Sequence, residues 1–243
     1  LVIFTWLVFV IGLLAIVIVA MVILLIVDVG RYRRYWQQQI AAPVTNNSLT
    51  YVALGDSAAQ SLGATSPRRG YVGLLAARLA EQTGRPVRVI NLSRTGAKLS
   101  DVLTTQLPEL AQYHADVVTI EIGANDMATY QPQTFTSQVD ELMSRLPRGT
   151  IMSDLPYFGG RGQLPLLGHG QSERDVESAN AILAKLANKH GLTLAPLHQA
   201  TQARVGRAPW HYAVDYFHPN NAGYKIWADA FWLQVRDQVS KNP

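Results

Sequence analysis

Four short stretches of the sequence carry residue types able to do acyl chemistry: Gly55-Asp56-Ser57, Gly96 at the end of NLSRTG, Gly123-Ala124-Asn125-Asp126, and Asp215-Tyr216-Phe217-His218-Pro219. A serine hydroxyl is a weak nucleophile and needs a base within hydrogen-bond reach. An imidazole acting as that base needs an acceptor on its other nitrogen, to hold the tautomer and stabilise the imidazolium. Asp215 and His218, three residues apart, can present carboxylate and imidazole from one turn. A developing oxyanion needs preorganised donors, which the backbone N–H groups of Ser57 and Gly96 and the Asn125 amide could supply. Each stretch also has an ordinary reading. Ser57 could cap a helix after a strand, Gly96 could be a turn glycine, Asn125-Asp126 could be a capping loop, and His218 could open a helix. GDSAA half-matches the G-x-S-x-G elbow, with Ala59 where the last glycine should stand.

Such residues act together only if regular elements converge them. Tyr51–Leu54, Val87–Asn91, 116–122, 150–154 and 192–195 are short apolar or β-branched runs, predicted as strands. Tyr71–Ala80, Phe135–Leu146, Ser172–His190 and Asn221–Val239 are predicted as helices. In Ser172–His190 the residues Val176, Ala179, Leu183 and Leu186 recur at helical spacing; in the last helix Trp227, Phe231, Val235 and Val239 form a stripe fit for core packing. Strands alternating with helices predict a parallel sheet covered by helices, an α/β class in which ligands bind beyond the carboxyl ends of the strands. Three of the four stretches directly follow a predicted strand, and the fourth precedes the last helix.

With all four stretches present in order, the region from Tyr51 to the C-terminus resembles the SGNH (GDSL-like) hydrolases. The resemblance implies a three-layer α/β/α flavodoxin-like domain with a central parallel sheet. It implies Ser57 as nucleophile, His218 as general base and Asp215 as its partner. The oxyanion hole would be the N–H groups of Ser57 and Gly96 with the Asn125 side chain. Asp56 and Asp126 match the motifs too and read as structural hydrogen-bonding residues. The serine after the domain's first strand, and an acid three residues before the histidine, favour this family over the α/β-hydrolases, whose serine comes well into the fold.

Upstream, Leu1 to Val27 contains no charged residue. As a helix it would run about 40 Å, enough to cross a hydrocarbon core of about 30 Å. A secretory h-region is shorter and ends at a small-residue cleavage site, whereas apolar residues continue past Ala15 and Ala20, so an uncleaved anchor is the favoured reading. The expected organisation is a transmembrane helix over 1–29, a basic and aromatic juxtamembrane segment and linker over 30–50, and the hydrolase domain over 51–243. Within the linker, Gln37–Thr50 reads as a polar tether, and Tyr32, Tyr35 and Trp36 read as an interfacial aromatic belt. Arg31, Arg33 and Arg34 would hold the domain in the cytoplasm by the positive-inside rule. The resemblance and a tethered hydrolase favour the extracytoplasmic face. The sequence begins at Leu1 without Met, so further residues upstream would enter the same charge comparison.

The formal net charge is +4, and the basic residues are scattered apart from Arg31–Arg34 and Arg68-Arg69, which gives no support to nucleic-acid binding. There is no cysteine, hence no disulfide framework and no thiol nucleophile. His114, His169, His190, His198 and His211 show no zinc-ligand spacing, and no phosphate-binding glycine loop follows a strand, so no cofactor and no metal are expected. Tyr157–Gln171 is a Gly/Pro-punctuated loop in which Tyr157, Phe158, Leu164, Leu166 and Leu167 could line an acyl groove, or could be incidental on a surface loop. The expected partners are a small-molecule, lipid or acylated-glycan ester and the membrane, with a monomeric catalytic domain. The expected reaction is ester hydrolysis through a Ser57 acyl-enzyme. Acyl transfer by the same residues and an inactive tethered binding module are the alternatives.

Overall fold

In the computed structural model, which describes residues 2–43, 45–158, 173–204 and 209–241, the apolar runs form a five-stranded sheet with every pairing parallel. The strands are β1 (Leu49–Gly55), β2 (Val87–Asn91), β3 (Val117–Glu121), β4 (Ile151–Ser153) and β5 (Thr193–Ala195), in the spatial order β2-β1-β3-β4-β5. β1 and β3 lie inside the sheet and are covered on both faces, which is why they read as nearly continuous apolar runs.

Alternation along the strands divides the core into two layers. Val52, Leu54, Val118 and Ile120 face α5 (Pro132–Arg145) and α6 (Glu173–His190). Tyr51, Ala53, Val117 and Ile151 face α2 (Tyr71–Thr83) and α8 (Asn221–Lys241), where Tyr71 stacks on Phe231 with ring centroids 5.0 Å apart. This is the expected three-layer α/β/α domain. Two helical regions were not foreseen: α3 (Leu99–Asp101) joined through a π-helical stretch, Val102–Gln106, to α4 (Leu107–Leu110), and α7 (Leu197–Arg204). The π-helical turn shifts the phase of the apolar positions, so no constant 3.6-residue period runs through 99–110.

The largest departure from expectation is at the N-terminus. α1 (Val2–Ala41) is a single helix that runs through the whole of the basic segment and into the stretch read as a tether. Most of its side chains from Phe9 to Val27 are exposed, but Tyr32 and Trp36 are buried against the domain and Ile40 packs on its core. These three residues recur at i, i+4 and i+8 and therefore form one stripe. The stripe lies along the edge strand β2, whose backbone would otherwise be an open template for pairing.

Candidate active site

β1 ends at Gly55, whose φ is +141° and whose missing Cβ would lie 2.2 Å from the Glu121 carbonyl oxygen at the end of β3. Only glycine fits there. The chain then turns sharply: Asp56 Oδ1 accepts the Ala58 N–H (2.9 Å), and the Leu62 N–H donates to the Ser57 carbonyl (3.0 Å). Ser57 is thereby held beyond the carboxyl end of a central strand, 5% exposed. Gly63 (φ +88°) closes the same turn against the histidine loop, since a Cβ there would lie 2.5 Å from the Pro219 carbonyl oxygen and 2.8 Å from His218 Cβ.

The histidine loop is built around Asp215. Its Oδ1 accepts the N–H groups of Phe217 (2.9 Å) and His218 (3.0 Å), and its Oδ2 lies 2.6 Å from His218 Nδ1. His218 Nε2 lies 2.9 Å from Ser57 Oγ. An acceptor on Nδ1 assigns the proton there and leaves Nε2 free to accept from the serine hydroxyl. Burial would raise the Asp215 carboxyl, but the His218 hydrogen bond and charge and the two backbone N–H donors outweigh it and hold the group below its ordinary value. The loop is fastened by the antiparallel bridge of Tyr212 with Pro219 and by the Ala213 N–H to the His218 carbonyl (2.8 Å).

Gly96 lies in a turn with φ +76°. Among the described residues, the N–H groups of Ser57 and Gly96 have no acceptor. Asn125 sits between the two turns, its Nδ2 donating to Asp56 Oδ2 (2.9 Å) and to the Ala97 carbonyl (3.0 Å). Both amide hydrogens are thus engaged, and donation to a third oxygen requires exchange of one of them. Asp126 accepts the Leu99 N–H at 3.2 and 3.3 Å; burial pushes its carboxyl up to about 6 against that hydrogen bond and the Lys98 charge.

Three buried amides that sequence reasoning passed over hold these turns in place. Gln106, on the π-helical stretch, clasps Gly55 from both sides, accepting its N–H and donating to its carbonyl at 2.8 Å each. Gln60 donates to the Ser93 carbonyl (2.9 Å) and accepts from the Thr95 N–H (3.2 Å) and hydroxyl (2.5 Å), so it ties the Ser57 turn to the Gly96 turn. Asn91 reaches the Ala59 carbonyl (2.8 Å). The available signal was a polar residue within an apolar cluster, as Gln106 stands among Val102, Leu103, Leu107 and Leu110.

Two of the other histidines are engaged by acidic side chains elsewhere in the domain. His190 contacts Asp140 (2.6 Å), and His198 contacts Glu173 (2.9 Å) and stacks on Tyr157. Among the described residues no three His, Asp or Glu side chains are grouped to hold a metal ion. Phe158 is buried, whereas Leu164, Leu166, Leu167 and His169 lie outside the described residues.

Residues 53–226 match the model of the GDSL-like lipase/acylhydrolase family. Comparison with curated protein sequences finds no match. Among solved structures, TesA is 22% identical over 78% of this chain and 99% of its own, with a TM-score of 0.63. The esterase EstA from Pseudoalteromonas sp., in a structure inhibited by monoethylphosphonate, is 17% identical over 79% and 98%, with a TM-score of 0.62. The acetylxylan esterase Axe2 from Geobacillus stearothermophilus is 20% identical over 79% and 96%, with a TM-score of 0.60. At these identities the likeness is one of fold.

Proposed function

The chain belongs to the GDSL-like lipase/acylhydrolase family and is an ester-cleaving hydrolase; from that premise we propose that it is a membrane-anchored serine esterase with Ser57, His218 and Asp215 as its catalytic residues. The observation that carries the assignment is the continuous line from Asp215 Oδ2 through His218 (2.6 Å) to Ser57 Oγ (2.9 Å).

His218 Nε2 takes the proton of Ser57 as Oγ attacks the ester carbonyl carbon, and Asp215 stabilises the imidazolium that forms. The N–H groups of Ser57 and Gly96 receive the oxyanion, and the Asn125 amide becomes the third donor by exchanging its bond to Asp56 or to the Ala97 carbonyl for one to the oxyanion. One such donor contributes about 3–4 kcal/mol of transition-state stabilisation. Collapse of the tetrahedral intermediate expels the alcohol, which takes the proton from His218. Water, deprotonated by the same imidazole, then resolves the Ser57 ester.

Anchoring is supported by α1, whose run from Phe9 is long and apolar enough to cross a membrane and which continues unbroken into the turns packed on the domain. The substrate is an acyl ester of lipid character, and the domain lies on the extracytoplasmic face, where protease treatment of intact cells should degrade it. A fluorophosphonate probe should label the wild-type chain and leave Ser57→Ala unlabelled. Equal labelling of the two, or no hydrolysis of short- or medium-chain p-nitrophenyl esters by the wild type, would remove the assignment.

A further inference from the structure

α1 runs along the sheet edge in the sense opposite to the strands. Near its C-terminal end the Ile40 carbonyl accepts from Arg88 (3.1 Å), at the start of β2. One turn towards the N-terminus, Trp36 Nε1 donates to the Gln60 carbonyl (3.1 Å), beyond the carboxyl end of β1. A turn further, the Tyr32 hydroxyl donates to the Ala64 carbonyl. Continuing the same way, Val27, the last residue of the uncharged run, lies about 8 Å beyond Tyr32 and about 14 Å beyond Trp36 at about 1.5 Å per residue. The membrane-spanning part of α1 therefore leaves the domain at the carboxyl edge of the sheet, the edge that holds Ser57 and His218.

Two further features share that edge. Arg33 and Arg94 stand on the walls of a cleft of about 360 Å³ between α1 and the loop after β2, where Arg94 is paired with Glu109 (3.6 Å) and Arg33 supplies the net positive charge. The exposed Arg68 and Arg69 follow the Ser57 turn, Arg68 reaching Tyr35 of α1 (3.3 Å). The loop that carries Asp215 and His218 also bears three of the large apolar side chains exposed outside α1: Trp210 (69%), Val214 (71%) and Tyr216 (51%). Cationic side chains among exposed aromatic and aliphatic ones suit the headgroup and upper acyl layers of a bilayer containing anionic lipid.

We infer that the active-site mouth faces the membrane spanned by α1, with Trp210, Val214 and Tyr216 entering its surface, and that the site takes acyl esters of amphiphiles resident in that same leaflet. The inference rests on the anchor reading above and deepens it. α1 is then a rigid mount that sets the height and direction of the site, where a flexible tether would leave both free.

The chain has no cysteine, so a spin label at Val214→Cys reports alone. The full chain is reconstituted in vesicles of phosphatidylcholine and phosphatidylglycerol and compared with a label at Arg148→Cys, beside the opposite edge of the sheet. The label at 214 should be shielded from a water-soluble nickel relaxant, and the label at 148 should not. In a second arm, replacing Trp210, Val214 and Tyr216 together by Ser should lower the ratio of the rate on vesicle-embedded 4-methylumbelliferyl palmitate to that on dissolved p-nitrophenyl acetate by at least about ten-fold, the effect of losing even one of the three inserted side chains. Equal nickel access at 214 and 148 in vesicle-bound protein overturns the orientation, and an unchanged ratio overturns the substrate class. Protein that fails to float with the vesicles overturns the anchor reading and this inference together. Absence of hydrolysis overturns the catalytic assignment and the substrate class, while the labels still decide the orientation.

Discussion

At Gly55 the backbone of β1 passes too close to the Glu121 carbonyl for any side chain, and Gln106 closes two hydrogen bonds on its N–H and carbonyl. Those bonds matter because both backbone groups are buried, and leaving a buried group unpaired costs about 1–3 kcal/mol. Gln106→Leu should therefore destabilise the domain by about 3 kcal/mol in chemical denaturation. It should also reduce the rate of fluorophosphonate labelling, because Ser57 is only two residues from the unclasped glycine. Ser57, Asp215 and His218 were legible because each is a rare combination of residue type and local spacing. Gln106, Gln60 and Asn91 were not, since a single amide in a sequence carries no mark of the backbone group it will meet across the fold. The resemblance implies an oxyanion role for Asn125, whereas its bonds to Asp56 and Ala97 are contacts between turns that only the assembled site displays.

The π-helical turn before α4 delivers Gln106 to Gly55, the crowded Gly63 brings the Ser57 turn against His218, and α1 supports that turn from outside. Trp36 contributes to this support in two ways, by burying a large ring and by holding the Gln60 carbonyl. Trp36→Ala should lower stability by about 3 kcal/mol, with the loss visible as a lower melting temperature of the reconstituted chain. If the melting temperature is unchanged, α1 is a tether after all. The five strands and the principal helices were recoverable from β-branched runs and 3.6-residue periodicity, because those patterns are local consequences of burying one face. The docking of the last turns of α1, residues 30–41, was not legible for the complementary reason. Arginines and aromatics after an apolar span fit a membrane interface, and they fit equally well a helix whose Tyr32, Trp36 and Ile40 face a sheet edge.

Global stability should respond to pH through Asp126 in one direction and Asp215 in the other. Burial raises the Asp126 carboxyl from 3.8 to about 6, so the folded state holds that proton more tightly than the unfolded chain. Its contribution is present at low pH and is lost as pH rises from 3.8 towards about 6. Asp215, lowered in the folded state, contributes stability at higher pH that is lost as pH falls below 3.8. Asp126→Asn should flatten the stability profile measured by urea denaturation across the first of these windows, and an unaltered slope there would refute the assignment. At the scale of the whole molecule, the sequence by itself determined the fold class, the order of the strands and principal helices, and the residue types available for acyl chemistry. Those follow from periodicity, from glycine at forced turns, and from an acid three residues ahead of a histidine. Tertiary structure alone decided which amides hold the Ser57 and Gly96 turns and at which end of the sheet the apolar part of α1 leaves the domain. Both depend on contacts between segments distant in sequence, where direction is set by how a helix docks and leaves no local pattern.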